Sequence, residues 1–163
     1  MAAPVRNRLP SAATSGYPES DMRTFTLQEA QTLLPLVDSL LKQAQSAAAK
    51  ATALEDRQQQ LSHAIYLSGG MRVDVVAATR LKDDHQKAVT EARDALAEID
   101  AIGVQIKDLE KGLLDFPFQL DDSIVLLCWL QGEVTITHWH SLEAGFAGRQ
   151  LLDHRFTRND RPQ

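Results

Sequence analysis

Apolar residues recur at helical spacing through the first half of the chain and at alternate positions through much of the second. The periodic region opens at Phe25-Thr26-Leu27-Gln28-Glu29, where Thr26 and Glu29 stand three apart, the spacing of a capping box. In that arrangement each side chain satisfies a free backbone N–H at the helix start. Leu33, Leu34, Val37, Leu40, Leu41, Ala44, Ala48, Ala51, Leu54, Leu61 and Ile65 then share one face, which predicts a helix over about residues 27–68. Pro35 lies inside this pattern and predicts a kink or irregular turn, because it lacks an N–H to donate. Gly69-Gly70 ends the helix. Asp74 is placed to cap a second helix over about residues 74–102, with a stripe of Leu81, His85, Ala88, Ala92, Leu96, Ile99 and Ile102. The short link between them predicts an antiparallel hairpin. Pairing Leu67 with Asp74 sets His85 opposite Glu55 and Asp56, a polar layer of the kind that fixes helix register. At ~1.5 Å per residue the first helix would be a rod ~60 Å long. Two helices cannot cover such a stripe, so a third surface has to.

After Gly103 the period changes to two. Val104-Gln105-Ile106-Lys107-Asp108 alternates, and residues 112–118 lead to an Asp121-Asp122 turn. Residues 123–130 are rich in β-branched, leucine and aromatic side chains, Gln131-Gly132 has the form of a hairpin turn, and residues 134–140 alternate again. This predicts a β-meander of three or four antiparallel strands over about residues 104–140. With two-residue turns, Leu114, Phe116, Phe118, Val125, Leu127, Trp129, Val134 and Ile136 share one face, which can cover the open end of the hairpin. A longer connection would flip part of that parity. The fold class is therefore α+β: a long, antiparallel, coiled-coil-like helical hairpin followed by a small antiparallel meander. Residues 24–152 form one domain that closes on a glycine-punctuated loop at residues 144–149. Residues 1–22, rich in Ala, Pro, Ser and Gly, are expected to be a disordered tail, and residues 153–163 a mixed-charge tail.

Composition narrows the function classes. The 163 residues are 44% apolar and 24% charged, which suits an ordinary globular protein. Seventeen basic and 22 acidic residues leave a formal charge of −5, so no basic field invites nucleic acid. The longest apolar run, residues 124–130, is far short of the ~20 residues a membrane helix needs. A single cysteine, Cys128, excludes an intramolecular disulfide and any multi-cysteine zinc site. No apolar stretch follows Arg6 and Arg8, so no signal peptide is expected and the cytoplasm is the expected compartment.

Chemistry-bearing residues gather near the end of the meander. His138 and His140 stand two apart on a strand, so both imidazoles leave one face with ~6–7 Å between Cα atoms. That spacing suits two ligands of one divalent metal ion, with Glu143 as a possible oxygen donor. A cupin would carry its glutamate later and needs more chain for its double-sheet barrel, so that fold is rejected. Each residue also has a plainer reading. His138, placed by the two-residue turn in the row of Val125 and Ile136, reads as a core histidine, and His140 is the more open. Cys128 in an apolar strand reads as a small core residue with no cation beside it to activate a thiolate. Asp115 interrupts an apolar strand, pairs opposite Cys128 on the second sheet face, and needs a partner such as Lys107, Arg149 or a metal. Arg149, after two glycines, could hold an anion.

Four ordered stretches carry a resemblance: Phe25-Thr26-Leu27-Gln28-Glu29-Ala30; Gly112-Leu113-Leu114-Asp115-Phe116-Pro117; Leu127-Cys128-Trp129 with Gly132-Glu133; and Trp139-His140 through Gly145-Phe146-Ala147-Gly148-Arg149. Together they resemble the uncharacterised bacterial domain-of-unknown-function family 2203 over residues 24 to about 152. The resemblance implies a long helical hairpin followed by these sheet motifs, and it brings no catalytic residues. Asp115, Trp129, Glu133, His140, Gly145, Gly148 and Arg149 fall at its motif positions. His138 departs from the pattern, which has an aromatic residue before the Trp-His pair, and this shifts weight to His140 with Glu143 and Asp115. Asp115, Trp129, Glu133, Trp139 and Arg149 are the candidate ligand-binding set; His138, His140 and Glu143 are the candidate metal ligands.

Two functions fit. In the first, the hairpin is non-catalytic and self-associates or docks a partner, making a homo-oligomer through the helices without nucleic acid or membrane. In the second, the sheet end around His140, Glu143, Asp115 and Arg149 binds a metal or small ligand, an enzyme being one form of this. No phosphate loop, nucleotide fingerprint or Ser-His-Asp order is present.

Overall fold

A computed structural model describes residues 22–70 and 73–158. Helix α1 spans Leu27–Leu67 and α2 spans Val75–Ile102. The Thr26 hydroxyl accepts from Glu29 N at 3.1 Å while the Glu29 carboxylate accepts from Thr26 N at 2.8 Å, so the capping box is complete. Asp74 caps α2 by accepting from Ala77 N. Gly103 stops α2 in the left-handed region at φ 101°, where a side chain would be strained and would also press on Arg23. α1 is assigned as one continuous helix through Pro35, which stands on its exposed side.

The sheet has five antiparallel strands in chain order: β1 Gln105–Asp108, β2 Leu113–Leu120, β3 Ser123–Leu130, β4 His138–Ser141 and β5 Gln150–Leu151. That is one more than the meander pattern predicts, because a two-residue strand is too short to show a period. β2 and β3 pair along their full length from Leu113↔Leu130 to Leu120↔Ser123, closed by a tight turn in which Asp121 takes φ 51°. Where β1 stops, Phe25 N donates to Pro117 O at 2.8 Å, so the segment entering α1 continues the sheet edge.

Alternation puts Leu114, Phe116, Phe118, Val125, Leu127 and Trp129 on one face, all buried against Leu34, Val37, Leu40 and Leu41 of α1 and Ile99 of α2. This is the third surface that the helical stripe requires. Gln45 fastens the edge of the contact, donating to Leu109 O at 2.8 Å and to the Gln131 side chain at 2.9 Å.

The connection from β3 to β4 differs from the expected two-residue turn. Residues 131–137 form a wide loop, and β4 starts only at His138. Glu133 is the cause: its carboxylate accepts from Leu130 N at 3.0 Å and its carbonyl accepts from Trp129 Nε1 at 2.9 Å. Leu130 is thereby satisfied without a returning strand. Val134, expected in the core face, is 93% exposed, whereas Ile136 does reach the core. The longer loop flips the parity of β4. Cys128 pairs with His138 and Leu126 with His140, so both imidazoles leave the face turned away from the helices, not the row of Val125.

Residues 153–158, read from sequence as part of a charged tail, include the short helix α3, His154–Thr157. Phe156 there is fully buried, with ring centroids 5.1 Å from Phe118 and 5.4 Å from Trp139. One aromatic residue among charges supplies the anchor. The tail expected over residues 1–22 lies outside the described residues apart from Met22, and residues 159–163 lie outside them too. No helix among the described residues is long and apolar enough to cross a membrane.

Candidate functional site

Two regions stand out from the packed core: the distal half of the hairpin and the outer face of the sheet. The sheet reaches α1 at Gln45, and farther along the helix the buried Ala51 and Leu54 pack with Ala88 of α2. From residue 55 to 67 and from 75 to 87 no residue is buried. Gln58, Leu61 and Ile65 are half-buried in α1, as are Ala78, Leu81 and His85 in α2, which makes a seam two helices thick. Gln58 Nε2 donates across it to Leu81 O at 3.3 Å. At the free end Tyr66, Leu67, Val75 and Val76 are all more than half exposed.

On the outer face, Asp115 of β2, Cys128 of β3 and His140 of β4 meet and are buried to within 3%. Asp115 pairs directly with Cys128, as the sequence indicates, and its carboxylate oxygens lie 3.1 and 3.2 Å from His140 Nε2. His140 Nδ1 lies 2.8 Å from the Ser141 carbonyl, which can only accept, so Nδ1 carries a proton. The bond to Asp115, reinforced by Cys128 and the Ser141 carbonyl, raises the His140 pKa from 6.5 to about 10 against the opposing effect of burial. Without a metal, His140 is therefore an imidazolium at neutral pH, with its Nε2 turned to both Asp115 oxygens. Lys107 Nζ, on a half-exposed side chain, stands 4.0 Å from Asp115 Oδ2.

The other candidates are placed elsewhere. Glu143 is exposed in the turn after β4 and is not among the side chains that meet at His140. His138 is half-buried, with Nδ1 2.8 Å from the Thr137 hydroxyl. Arg149 reaches Glu133 Oε1 at 3.2 Å and stacks its guanidinium over Phe146 at 4.7 Å, so it ties the glycine loop to the β3–β4 connection. Trp129 is held by Glu133, as described above. Trp139 packs on Phe156 under the Arg155 guanidinium, its buried Nε1 without a hydrogen-bond partner among the described residues. The candidate ligand set thus divides: Glu133, Arg149 and Trp129 brace the sheet end, Trp139 joins the core, and Asp115 alone faces His140.

Cys128 is the member that the pattern of the chain undervalues. The missing cation is His140, concealed by the two-residue turn. The signal available was the Asp115–Cys128 pairing itself, since a carboxylate opposite a thiol on an otherwise apolar face calls for a third polar group.

Residues 23–152 match the family model described as "Uncharacterized conserved protein (DUF2203)". No curated protein and no solved structure matches the chain.

Proposed function

The chain belongs to the DUF2203 family of uncharacterized conserved proteins, and from that premise we propose that its working part is the distal half of the helical hairpin, which pairs with a second copy of the chain. The carrying observation is the seam of Gln58, Leu61, Ile65, Ala78, Leu81 and His85, half-buried in a layer only two helices thick. A helix face stays partly wet when it packs on one neighbour alone, and two hairpins laid together make a four-helix arrangement that closes it. The exposed apolar side chains Tyr66, Leu67, Val75 and Val76 lie at the same end and would be covered with it. On this reading the protein is a non-catalytic homo-oligomer of the cytoplasm, a compartment that suits its single free thiol. Its net negative charge gives no support to a nucleic-acid partner.

Light scattering on the full chain tests the reading. A mass of two chains or more is expected, shifting toward one chain in a Tyr66→Ser, Val76→Ser double variant whose helical circular dichroism is unchanged. A monomeric wild-type mass at high micromolar concentration overturns it.

A further inference from the structure

Three donor atoms of different chemistry converge on the outer face of the sheet: an Asp115 carboxylate oxygen, the Cys128 sulfur and a His140 ring nitrogen, all within 4.8 Å of one another. Because the Ser141 carbonyl holds the proton of Nδ1, neutral His140 would aim the Nε2 lone pair at the Asp115 oxygens. Two lone pairs keep a separation of 3.1–3.2 Å only with a positive centre between them. A proton bridges only the Asp115–His140 pair, with the Cys128 sulfur beside it. A metal ion uses all three.

We propose that Asp115, Cys128 and His140 ligate one divalent transition-metal ion of the zinc type. Thiolate and imidazole select a borderline-soft ion over Mg²⁺ or Ca²⁺, which prefer oxygen donors throughout. The nitrogen-to-oxygen separation is close to the ~3.3 Å edge of a tetrahedron built on ~2.0 Å bonds. A backbone carbonyl on the second ring nitrogen is the support that orients metal-binding imidazoles. Three adjacent strands of a hydrogen-bonded sheet carry the donors, so their spacing is fixed before any ion arrives. Lys107 competes for Asp115 but sits on a flexible, half-exposed stem and can swing away.

The rival chemistry is a Cys-His-Asp nucleophile. That arrangement needs the two ring nitrogens shared between thiol and carboxylate. Here Asp115 faces Nε2 and the Ser141 carbonyl occupies Nδ1, so the proton path of a triad is missing.

The test uses the full, untagged chain, stripped with a chelator and titrated with Co²⁺. One equivalent is expected to bind, with a sulfur-to-cobalt charge-transfer band and the visible absorption of a tetrahedral site, both abolished by Zn²⁺. Cys128→Ser should remove the charge-transfer band. His140→Ala should weaken binding at least tenfold, and His138→Ala and Glu143→Ala should leave it unchanged. A folded wild-type chain that takes up neither ion at micromolar concentration overturns the proposal, as does a charge-transfer band that survives Cys128→Ser. The wild-type titration decides even if a variant fails to fold.

Discussion

Asp115 and His140 face each other across the strand that separates them: His140 Nε2 lies 3.1 Å from Asp115 Oδ2 although β3 runs between β2 and β4. Adjacent strands stand ~4.8 Å apart, so the two side chains close a gap of roughly two strand spacings above Cys128. Neither residue could be replaced alone without leaving a buried, unmatched charge or an unfilled space. Metal-free Asp115→Ala and His140→Ala proteins should each lose about 3–5 kcal/mol in urea unfolding, the range for breaking a buried ion pair. The double variant should lose clearly less than the sum of the two, since the second substitution removes the charge that the first one stranded.

The same pair makes stability depend on pH in a defined direction. The folded-state pKa of His140 is raised from 6.5 to about 10. Its contribution is then fully present below the unfolded value of 6.5 and is lost as pH rises through about 10. The urea midpoint of the metal-free protein, compared with that of His140→Gln, should therefore show a gap that narrows from neutral pH to about pH 10. A constant gap would mean that the pair does not stay charged.

Glu133 should matter more than the arginine that holds it. Its carboxylate satisfies Leu130 N and Arg149 together, while its carbonyl takes Trp129 Nε1. Glu133→Ala leaves a partly buried backbone donor unpaired and should cost about 1–3 kcal/mol. Arg149→Ala removes one partly exposed ion pair and should cost ~1 kcal/mol or less from that contact. Thermal melting of both variants checks the order.

Phe156→Ala should cost about 3–5 kcal/mol in urea unfolding, since a fully buried aromatic leaves a cavity beside Phe118 and Trp139. A free tail in this position would show no such loss.

The helices and the central hairpin were legible in the chain because their signals are local. Thr26 and Glu29 cap within one turn, Asp74 caps within one turn, and the alternation from Leu114 to Trp129 fixes the buried face before any distant contact is known. The position of β4 was not legible, because Glu133 holds the loop open through a side-chain bond to Leu130 that no periodicity encodes. A change in loop length of odd parity turns every side chain of a strand to the other face. That took His138 out of the row of Val125 and set both imidazoles on the side of Asp115 and Cys128. Two of the three residues of the candidate site, Asp115 opposite Cys128, were legible from the tight β2–β3 turn alone. The Phe156 anchor has no sequence signature, because a single aromatic among Asp, His and Arg has no pattern around it.

The sequential order of the sheet bears on how the chain reaches its native state. Each strand pairs with its neighbour in the chain, and α1 packs on α2, the next helix in the chain. Contacts of short sequence separation carry little loop-closure entropy, so the helical hairpin and the β2–β3 pair can each form early and independently. The distant closures join α1 to the sheet, among them Phe25 to Pro117 and Gln45 to Gln131. The largest loop-closure entropy therefore falls on docking the proximal rod against the meander.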